Sequence, residues 1–483
     1  MNIKSKNMFD KINKFIAKYS YTDDIKQALL KIDASANINA KDINNFLHKK
    51  DNLRIKTYFP YILEKFIVYT TENGKKSIES NATIKIYNMC NKIYDNDLTY
   101  EKLAFLGDKE QGRFQDKNYN ILKYRYTQLF ANDITSEKII QSIFKMDLEK
   151  FVTIYLAFAL FIYNFEKVEI YLNVDKFKKF TINQNTDFCE QNIDDFLEYI
   201  SISKENFKDK YNSLRTQNAI IASNTKLSKI DKVLPKASFF YPLIRDKEKY
   251  YFSSYTAVFE FLRLEKVFCD ISENKSINKH YRSDILGKEL IENYVRQQAK
   301  IFAKKDKYTK VYGGEKYEVK NKKYNAPDVI FEASNYMIMI ECKNSFSNLI
   351  NTIHDFSDIV KRRISEDLKK SKKNVDRYLK YKQINNDKKI YKFLMYFNAT
   401  PVSTKALEFG LFDNVNFTLT DISSIELLFR IKLNSLDEFI NNFKKQPYSL
   451  HDFIKKSSYK IDTSDIDNQT ISKKYFNFQN DKK

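Results

Sequence analysis

The sequence predicts an α+β protein in which a mostly helical N-terminal half precedes an α/β sandwich domain. Up to about residue 230, apolar residues recur at three- and four-residue steps, as they do on the buried side of a helix. Over residues 283–425 the patterns run helix, three strands, helix, strand, which is an α/β sandwich order. With 483 residues, 43% of them hydrophobic, the chain is long enough for two or three domains with substantial cores.

The N-terminal half is expected to be built around one long apolar helix. Its apolar run, 151–165, is shorter than the ~20 residues that a bilayer crossing needs. We therefore predict a buried helix over 148–172, ending near Asn173, with Asp147 as its N-cap. Other helices are expected near 22–33, 41–49, 59–70, 78–93, 115–131, 136–146, 192–200 and 204–216.

Around residue 235 the pattern changes from helical to extended. Aromatic runs on both sides of the charged turn 245–249 predict a hairpin, and a helix is expected to follow over 257–268. We therefore predict three segments. They are a helical recognition or interaction domain over 1–230, an α/β domain over 235–430 with its core at 283–425, and a helical C-terminal extension with a polar tail over 431–483.

The α/β core is expected to open with a helix that Ser283-Asp284 caps and that ends near Phe302. Strands follow over 309–319, with a bend at Gly313-Gly314, then over 328–333 and 336–343. Ser334-Asn335 is a two-residue turn suited to a hairpin between the last two strands.

An amphipathic helix and a buried strand complete the core. The helix carries one apolar side, and the strand over 390–397 is apolar on both faces. The apolar side consists of Ile364, Leu368, Ser371, Val375 and Leu379. Shorter elements are expected at 406–411, 416–420, 436–445 and 449–456.

Charged residues gather at the open end of the predicted hairpin. Asp328 begins one strand, and Glu341-Cys342-Lys343 ends the next. Alternation along the strand puts Glu341 and Lys343 on one face, while Cys342 points into the packing. Neighbouring carboxylates repel each other unless a cation neutralises them, and hard cations prefer oxygen ligands. The pattern therefore predicts a divalent-cation site suited to a phosphodiester.

In this order of elements the chain resembles the PD-(D/E)xK nuclease superfamily, whose domain has the restriction-endonuclease-like fold. The residues that carry the resemblance are Pro327-Asp328, Glu341-Cys342-Lys343 and the upstream helical segment 287–295. It covers about residues 283–425 and leaves the N-terminal half uninterpreted.

The resemblance implies metal-dependent hydrolysis of phosphodiester bonds in DNA, and occasionally in RNA. Asp328 and Glu341 would be ligands of Mg2+ or Mn2+, and the carbonyl of Cys342 would complete the site. Lys343 would orient or activate water. Glu292 would bind the cation directly or through water.

The helical glutamate is ambiguous on periodicity alone. Glu289 and Glu292 lie about equally far from the centre of the apolar stripe. The resemblance favours Glu292, because Ile291 before it and Tyr294-Val295 after it match the pattern of the superfamily.

The charge of the chain indicates a polyanionic partner. The 83 basic and 62 acidic residues leave a net charge of +21, which raises the local concentration of nucleic acid. A basic helical run over 361–380 is suited to following a phosphate backbone, although its acidic neighbours fit a solvated face almost as well.

We therefore expect a cytoplasmic DNA endonuclease, with DNA preferred to RNA and no membrane association, in defence against foreign DNA or in a mobile element. The alternative is a nucleic-acid-binding or assembly protein whose nuclease-like domain is inactive. A helical interaction protein with incidental charge is a third interpretation. A protein partner for the N-terminal half and a homo-oligomer are left open.

Overall fold

The structure is a computed structural model, and the fold is described over part of the chain. Helices predicted near 41–49, 78–93 and 115–131 fall largely outside the described residues. The predictions for Ser283-Asp284, for 406–411 and for everything after residue 430 lie outside them as well. The described residues are 14–16, 18–19, 22–35, 38, 41, 52–70, 88, 124–125, 128–129, 134–184, 187–224, 237–260, 266, 270, 287, 290–304, 309–343, 356–384, 388–397 and 417–430.

The described part of the N-terminal half is mostly helical, as the apolar spacing predicts. Its helices pack around one aromatic core, in which Phe151, Phe158 and Phe196 are wholly buried. The helices are α1 (Asp23–Ser35), α2 (Asn52–Tyr69), α3 (Ile134–Phe144), α4 (Leu148–Tyr163), α5 (Val174–Gln184), α6 (Glu190–Ile200) and α7 (Lys204–Asn224).

Helix α4 begins where the sequence predicts and ends earlier. The Asp147 carboxylate caps it by accepting a hydrogen bond of 2.7 Å from the N–H of Lys150. The expected continuation to Asn173 is wrong, because residues 170–172 run extended beside the second strand of the hairpin. That backbone pairing outweighs the helical spacing of the segment. Among the described residues, no helix combines the length and apolarity that a bilayer crossing requires.

Helix α5 was not predicted, because its sequence is polar. Phe177 and Thr181, four residues apart, are its buried positions next to α4. The ring of Phe177 lies 5.2 Å from that of Phe158. One aromatic anchor therefore holds a helix that has too few apolar positions to show a clear period.

The predicted hairpin around residue 245 forms and joins a small sheet. Strands β2 (Leu243–Asp246) and β3 (Lys249–Phe252) are antiparallel, and β2 also pairs in parallel with the unpredicted β1 (Ser201–Ser203). Two short helices flank the hairpin, α8 (Ala237–Phe240) and α9 (Tyr255–Glu260). Asp33 of α1 caps α9 by accepting bonds from residues 254–256, so this region packs with the first helices.

The C-terminal half contains a five-stranded mixed sheet between two helical layers. Its strand order is β10, β9, β8, β7, β4, in which β8, β9 and β10 run parallel and β7 is antiparallel to both neighbours. The elements are α10 (Asn293–Ala303), β4 (Lys310–Tyr312), β5 (Lys316–Val319), β6 (Lys322–Asn325), β7 (Val329–Glu332), β8 (Tyr336–Lys343), α11 (Phe356–Lys382), β9 (Lys389–Tyr396), β10 (Phe417–Asp421) and α12 (Ile422–Arg430).

Side chains of β8 point alternately to the two faces of the sheet and pack against both helical layers. Ile338 and Ile340 face α10 and α12, whereas Met337 and Met339 face α11. Helix α11 turns Leu368, Ser371, Val375 and Tyr378 inward, which confirms the predicted amphipathic helix. The protein is therefore of mixed α+β class, with an α/β sandwich in its C-terminal half.

The expected single strand over 309–319 is wrong, since two strands in different sheets take its place. Strand β4 pairs with β7, while β5 forms a separate hairpin with the unpredicted β6. Gly313 and Gly314 separate them with φ angles of 135° and 72°. These values lie in the region that glycine adopts without strain, so the chain leaves one sheet and starts another here.

Helix α12 was also missed. Its buried residues Ile422, Ile425, Leu428 and Phe429 have helical spacing, so the signal was present in the sequence. With α10 it covers one face of the sheet.

Candidate functional site

The β7–β8 hairpin brings Asp328 and Glu341 to one end of the sheet. The register pairs Val329 with Ile340, so the preceding Asp328 lies opposite the following Glu341. The backbone N–H of Cys342 donates a hydrogen bond of 2.7 Å to Oδ2 of Asp328. The Asp328 carboxylate is thereby held against the end of β8.

Glu341 is almost completely buried on the α11 face of the sheet. The residue is 5% exposed. Nδ2 of Asn374, from α11, donates a hydrogen bond of 2.7 Å to Oε1, and Nζ of Lys343 lies 3.6 Å from Oε2. Glu341 and Lys343 share this face, as strand alternation predicts.

Cys342 points to the other face and packs against the core beneath α10 and α12. Burial raises the pKa of its thiol well above the ordinary value, and the charges of Asp328, Glu292 and Glu341 raise it further. The thiol therefore stays protonated. Its backbone N–H connects Cys342 with the site through the bond to Asp328.

Glu292 reaches the site from the start of α10. It ends a π-helical segment that includes residues 287 and 290–292, a form of backbone that recurs at functional sites. Burial raises the pKa of its carboxyl group, and the charges of Asp328 and Glu341 raise it further, so the three carboxylates are close enough to interact. Nη2 of Arg296, one helical turn on, lies 3.6 Å from Oε2 of Glu292. Glu289, the alternative in the sequence, lies outside the described residues.

The two glycines between β4 and β5 allow the backbone to pass close to Asp328 and Glu292. A Cβ at Gly313 would lie 2.7 Å from the carbonyl oxygens of Pro327 and Asp328, which is too close. A Cβ at Gly314 would lie 3.6 Å from Oε2 of Glu292. The N–H of Gly314 donates to the carbonyl of Pro327 at 2.8 Å. The bend therefore packs directly behind Asp328.

The three carboxylates repel one another in a poorly solvated place. Burial, followed by the charge of Asp328, raises the pKa of Glu292 to about 8 and that of Glu341 to about 7. Arg296 and Lys343 offset only part of this. At neutral pH the site therefore favours either a bound proton or a bound cation.

Lys343 remains an ammonium ion. Burial lowers the pKa of its amine, but the carboxylates of Glu341, Asp328 and Asp367 outweigh that effect and raise it overall. A permanently charged lysine orients water or a phosphate oxygen rather than removing a proton from it.

The donor chemistry of the site fits a hard divalent cation. Carboxylate oxygens of Glu292, Asp328 and Glu341 are the ligands that Mg2+ and Mn2+ prefer, and their mutual repulsion is what such an ion relieves. As the side chains stand, no three acidic, histidine or cysteine residues of the described chain close into a coordination cluster. Bonds to Cys342 and Asn374 engage two of the carboxylates instead.

The sequence did not identify Asn374 or Arg296 as site residues. Asn374 lies beside Val375 on the inward stripe of α11, so a polar residue at the edge of an apolar stripe was the available signal. Arg296 follows Glu292 by four residues, the spacing of a helical ion pair. Both positions matter only once α10 and α11 are placed around β8.

A scan against protein-family models and a search of curated proteins both find no match to this chain.

The raised pKa values predict how the stability of the cation-free protein depends on pH. The folded chain holds protons on Glu292 and Glu341 more tightly than the unfolded chain, whose glutamates titrate near 4.5. This contribution is complete below pH 4.5 and is lost as the pH rises through about 7 and about 8. Glu292→Gln removes a buried charge that Asp328 and Glu341 also repel, so the free energy of unfolding at pH 8 should rise by roughly 2–4 kcal/mol, with a gain below ~1 kcal/mol at pH 5.

Urea denaturation in EDTA at the two pH values measures this effect. Glu318→Gln on β5 is the matched control, because Glu318 is exposed. It should change neither value. Equal stability of Glu292→Gln and the wild type at pH 8 would contradict the raised pKa of Glu292 in the folded protein.

Proposed function

We propose that the protein is a metal-dependent nuclease of the PD-(D/E)xK type that hydrolyses phosphodiester bonds in DNA. The observation that carries the proposal is the meeting of Glu292, Asp328 and Glu341 with Lys343 at one end of the sheet. Three acidic groups and one permanent cation in a buried place suit a divalent ion and a phosphate.

The architecture around the site supports a restriction-endonuclease-like fold for this domain. A mixed five-stranded sheet lies between helices on both faces, and its antiparallel hairpin carries Asp328 and Glu341. Strand β8 occupies the centre of the sheet order, and α10 supplies Glu292 from one helical layer. This is the order of elements in which the sequence resembles the superfamily.

Each residue has a role that follows from its contacts. Glu292, Asp328 and Glu341 would hold Mg2+ or Mn2+, which when bound polarises the phosphate and lowers the pKa of water. Asn374 fixes one oxygen of Glu341 and so leaves Oε2 directed at Lys343. The ammonium group of Lys343 orients the attacking water or a phosphate oxygen.

The surface near the site favours a polyanionic substrate. Exposed lysines follow the outer side of α11, the helix whose Asn374 holds Glu341 in place. They are Lys369, Lys370, Lys372, Lys373, Lys380 and Lys382. With the net charge of +21 they attract a phosphate backbone of either nucleic acid. DNA is preferred on the resemblance, and defence against foreign DNA or the activity of a mobile element would suit such an enzyme.

One observation favours a second candidate, a nucleic-acid-binding protein whose nuclease-like domain is inactive. The carboxylates of Asp328 and Glu341 are engaged by Cys342 and Asn374 and are not arranged as a coordination cluster. An inactive domain would retain salt-sensitive binding and form no product.

Incubation of the purified protein with plasmid DNA, single-stranded DNA and RNA distinguishes the candidates. Reactions contain Mg2+, Mn2+, Ca2+ or EDTA, and an identically purified Asp328→Asn variant controls for contaminating nucleases. We expect cleavage of DNA with Mg2+ or Mn2+ and none in EDTA. Binding without product in any of these metals would establish the second candidate, and cleavage of RNA alone would replace the substrate.

A further inference from the structure

We propose that a tyrosine ledge beside the candidate site stacks the bases of a single-stranded nucleic acid. The inference deepens the proposed function by naming the form of the substrate, and it rests on that function only for the cleavage that would follow binding. The ledge consists of Tyr317 and Tyr324 on the β5–β6 hairpin and of Tyr378 and Tyr381 on α11.

The rings of the ledge form one connected aromatic layer. The ring of Tyr317 lies 4.6 Å from Tyr381, 5.5 Å from Tyr378 and 5.9 Å from Tyr324, measured between centroids. Tyr378 is wholly buried and Tyr317 nearly so. The inner rings therefore give the outer one a rigid support, which keeps the entropy lost on stacking low.

Tyr381 is the outer ring. It is 44% exposed, and among the described residues it alone is a large hydrophobic side chain with that degree of exposure. One side of the ring leans against Tyr317, at an interplanar angle of 30°. The rest of the ring is left for a further planar group, and a base offers a π face of suitable size.

Cations surround the ledge. The guanidinium carbon of Arg377 lies 4.0 Å from the ring centroid of Tyr324, and Nζ of Lys382 lies 5.7 Å from that of Tyr381. Exposed lysines at 316, 320, 322, 323 and 380 outnumber the exposed acids nearby, Glu315, Glu318 and Asp376. Asp376 is also paired with Lys392 at 2.9 Å. This positive charge fits a phosphate backbone, whereas a protein surface with few acidic residues would not be attracted to it.

The ledge is tied to the candidate site from two sides. Tyr381 follows Asn374, the hydrogen-bond donor to Glu341, by seven residues, which is about 10 Å along a helix. The base of the β5–β6 hairpin is fixed next to Asp328 by the bond of 2.8 Å from the N–H of Ala326 to the carbonyl of Glu315. A strand with its bases on the ledge would therefore run within a few nucleotides of the candidate site.

Stacking on a protein ring requires an unpaired base. In a duplex the faces of the bases are covered by their neighbours and only the edges are accessible. The ledge offers a ring face and cations, which bind any base without reading its edges. The expected ligand is therefore single-stranded, with little preference for sequence.

The absence of tryptophan from the chain allows a direct test, because Tyr381→Trp creates a sole tryptophan, whose emission can be excited apart from that of tyrosine. The titrations are carried out in EDTA, so that no cleavage occurs, with an oligothymidylate, an abasic oligonucleotide of equal length and a blunt duplex. We expect strong quenching of tryptophan emission by the oligothymidylate and much weaker quenching by the other two.

Affinity measurements by fluorescence anisotropy complete the test. Tyr381→Ala should weaken binding of the oligothymidylate roughly tenfold, whereas Tyr381→Phe should retain it. Tyr163→Ala, which removes a partly exposed tyrosine on α4, is the matched control and should have no effect. Because Tyr381 lies at the surface, circular dichroism should show Tyr381→Ala folded.

Several outcomes would overturn the stacking surface. They are unchanged emission at saturation, equal quenching by the abasic strand, wild-type affinity of Tyr381→Ala, and emission that changes with protein concentration alone, which would identify a second copy of the chain as the occupant. Quenching without cleavage in any metal would retain the ledge and remove the nuclease. Cleavage without quenching would retain the nuclease and remove the stacking role of the ledge.

Discussion

Replacing Lys343 with alanine is expected to lower the rate of Mg2+-dependent cleavage roughly 100- to 1,000-fold. The ammonium group lies 3.6 Å from Glu341 and is the cation that the hairpin delivers to the three carboxylates. Without it, a phosphate or a water molecule at the site loses its fixed positive neighbour. Initial rates of plasmid nicking under single-turnover conditions measure the change.

The same variant should bind DNA as the wild type does. The basic residues along α11 remain, and one half-buried lysine contributes little to attraction at a distance. Lys179→Ala, an exposed lysine on α5 outside the basic surface of α11, is the matched control and should change the cleavage rate less than twofold. Wild-type cleavage by Lys343→Ala would remove the lysine from the catalytic site, and lost binding would show that it holds substrate instead.

Replacing Glu426 with alanine is expected to lower the free energy of unfolding by about 3–5 kcal/mol. Glu426 is buried on α12 and accepts hydrogen bonds from Nε and Nη2 of Arg125 at 2.6 and 2.5 Å. Its Oε1 also accepts one of 2.7 Å from the hydroxyl of Tyr294. Burial and the Glu426 charge raise the pKa of that hydroxyl well above its ordinary value, so it stays a donor. The substitution therefore leaves a buried guanidinium and a buried hydroxyl without their shared acceptor.

A double replacement separates the loss of the pair from the burial of a lone charge. Arg125→Met with Glu426→Leu should cost less than Glu426→Ala alone, because neither member of the ion pair is left behind as a lone buried charge. Tyr294→Phe, which removes one donor, should cost only about 1 kcal/mol. Urea denaturation followed by circular dichroism measures each variant. A double variant less stable than Glu426→Ala would show that this network contributes more than charge compensation.

The Glu426 network also bears on the candidate site. Tyr294 follows Glu292 by two residues at the start of α10, so its bond to α12 holds the end of the helix that carries the glutamate. A loosened α10 would move Glu292 away from Asp328 and Glu341.

Local sequence patterns were sufficient to predict the helices and strands that bury one face. Strand β8 has the predicted bounds, and the two-residue turn at Ser334-Asn335 closes its hairpin as expected. Asp147 caps α4, and α11 turns its apolar stripe inward. Each of these depends on residues a few positions apart, so periodicity and turn chemistry report them directly.

Contacts between distant segments were beyond the reach of those patterns. The pairing of β1 with β2 joins segments some 40 residues apart, and Arg125 meets Glu426 across 301 positions. The turn between β5 and β6 has positive φ at Lys320 and Asn321, of which only asparagine favours this conformation, so the local signal was weak. Where the spacing of 168–172 indicated helix, pairing with β3 decided otherwise.

The amino-acid sequence by itself determined the α+β class, the hairpin and the placing of Asp328, Glu341 and Lys343 at its open end, because strand alternation and a two-residue turn leave little freedom in where those side chains go. Only the tertiary structure decided that Glu292 joins them, that Asn374 fixes Glu341, and that tyrosines from two elements form one layer. The spacing of apolar residues shows which side of a helix or strand is buried, whereas packing among all helices and strands selects which buried sides meet.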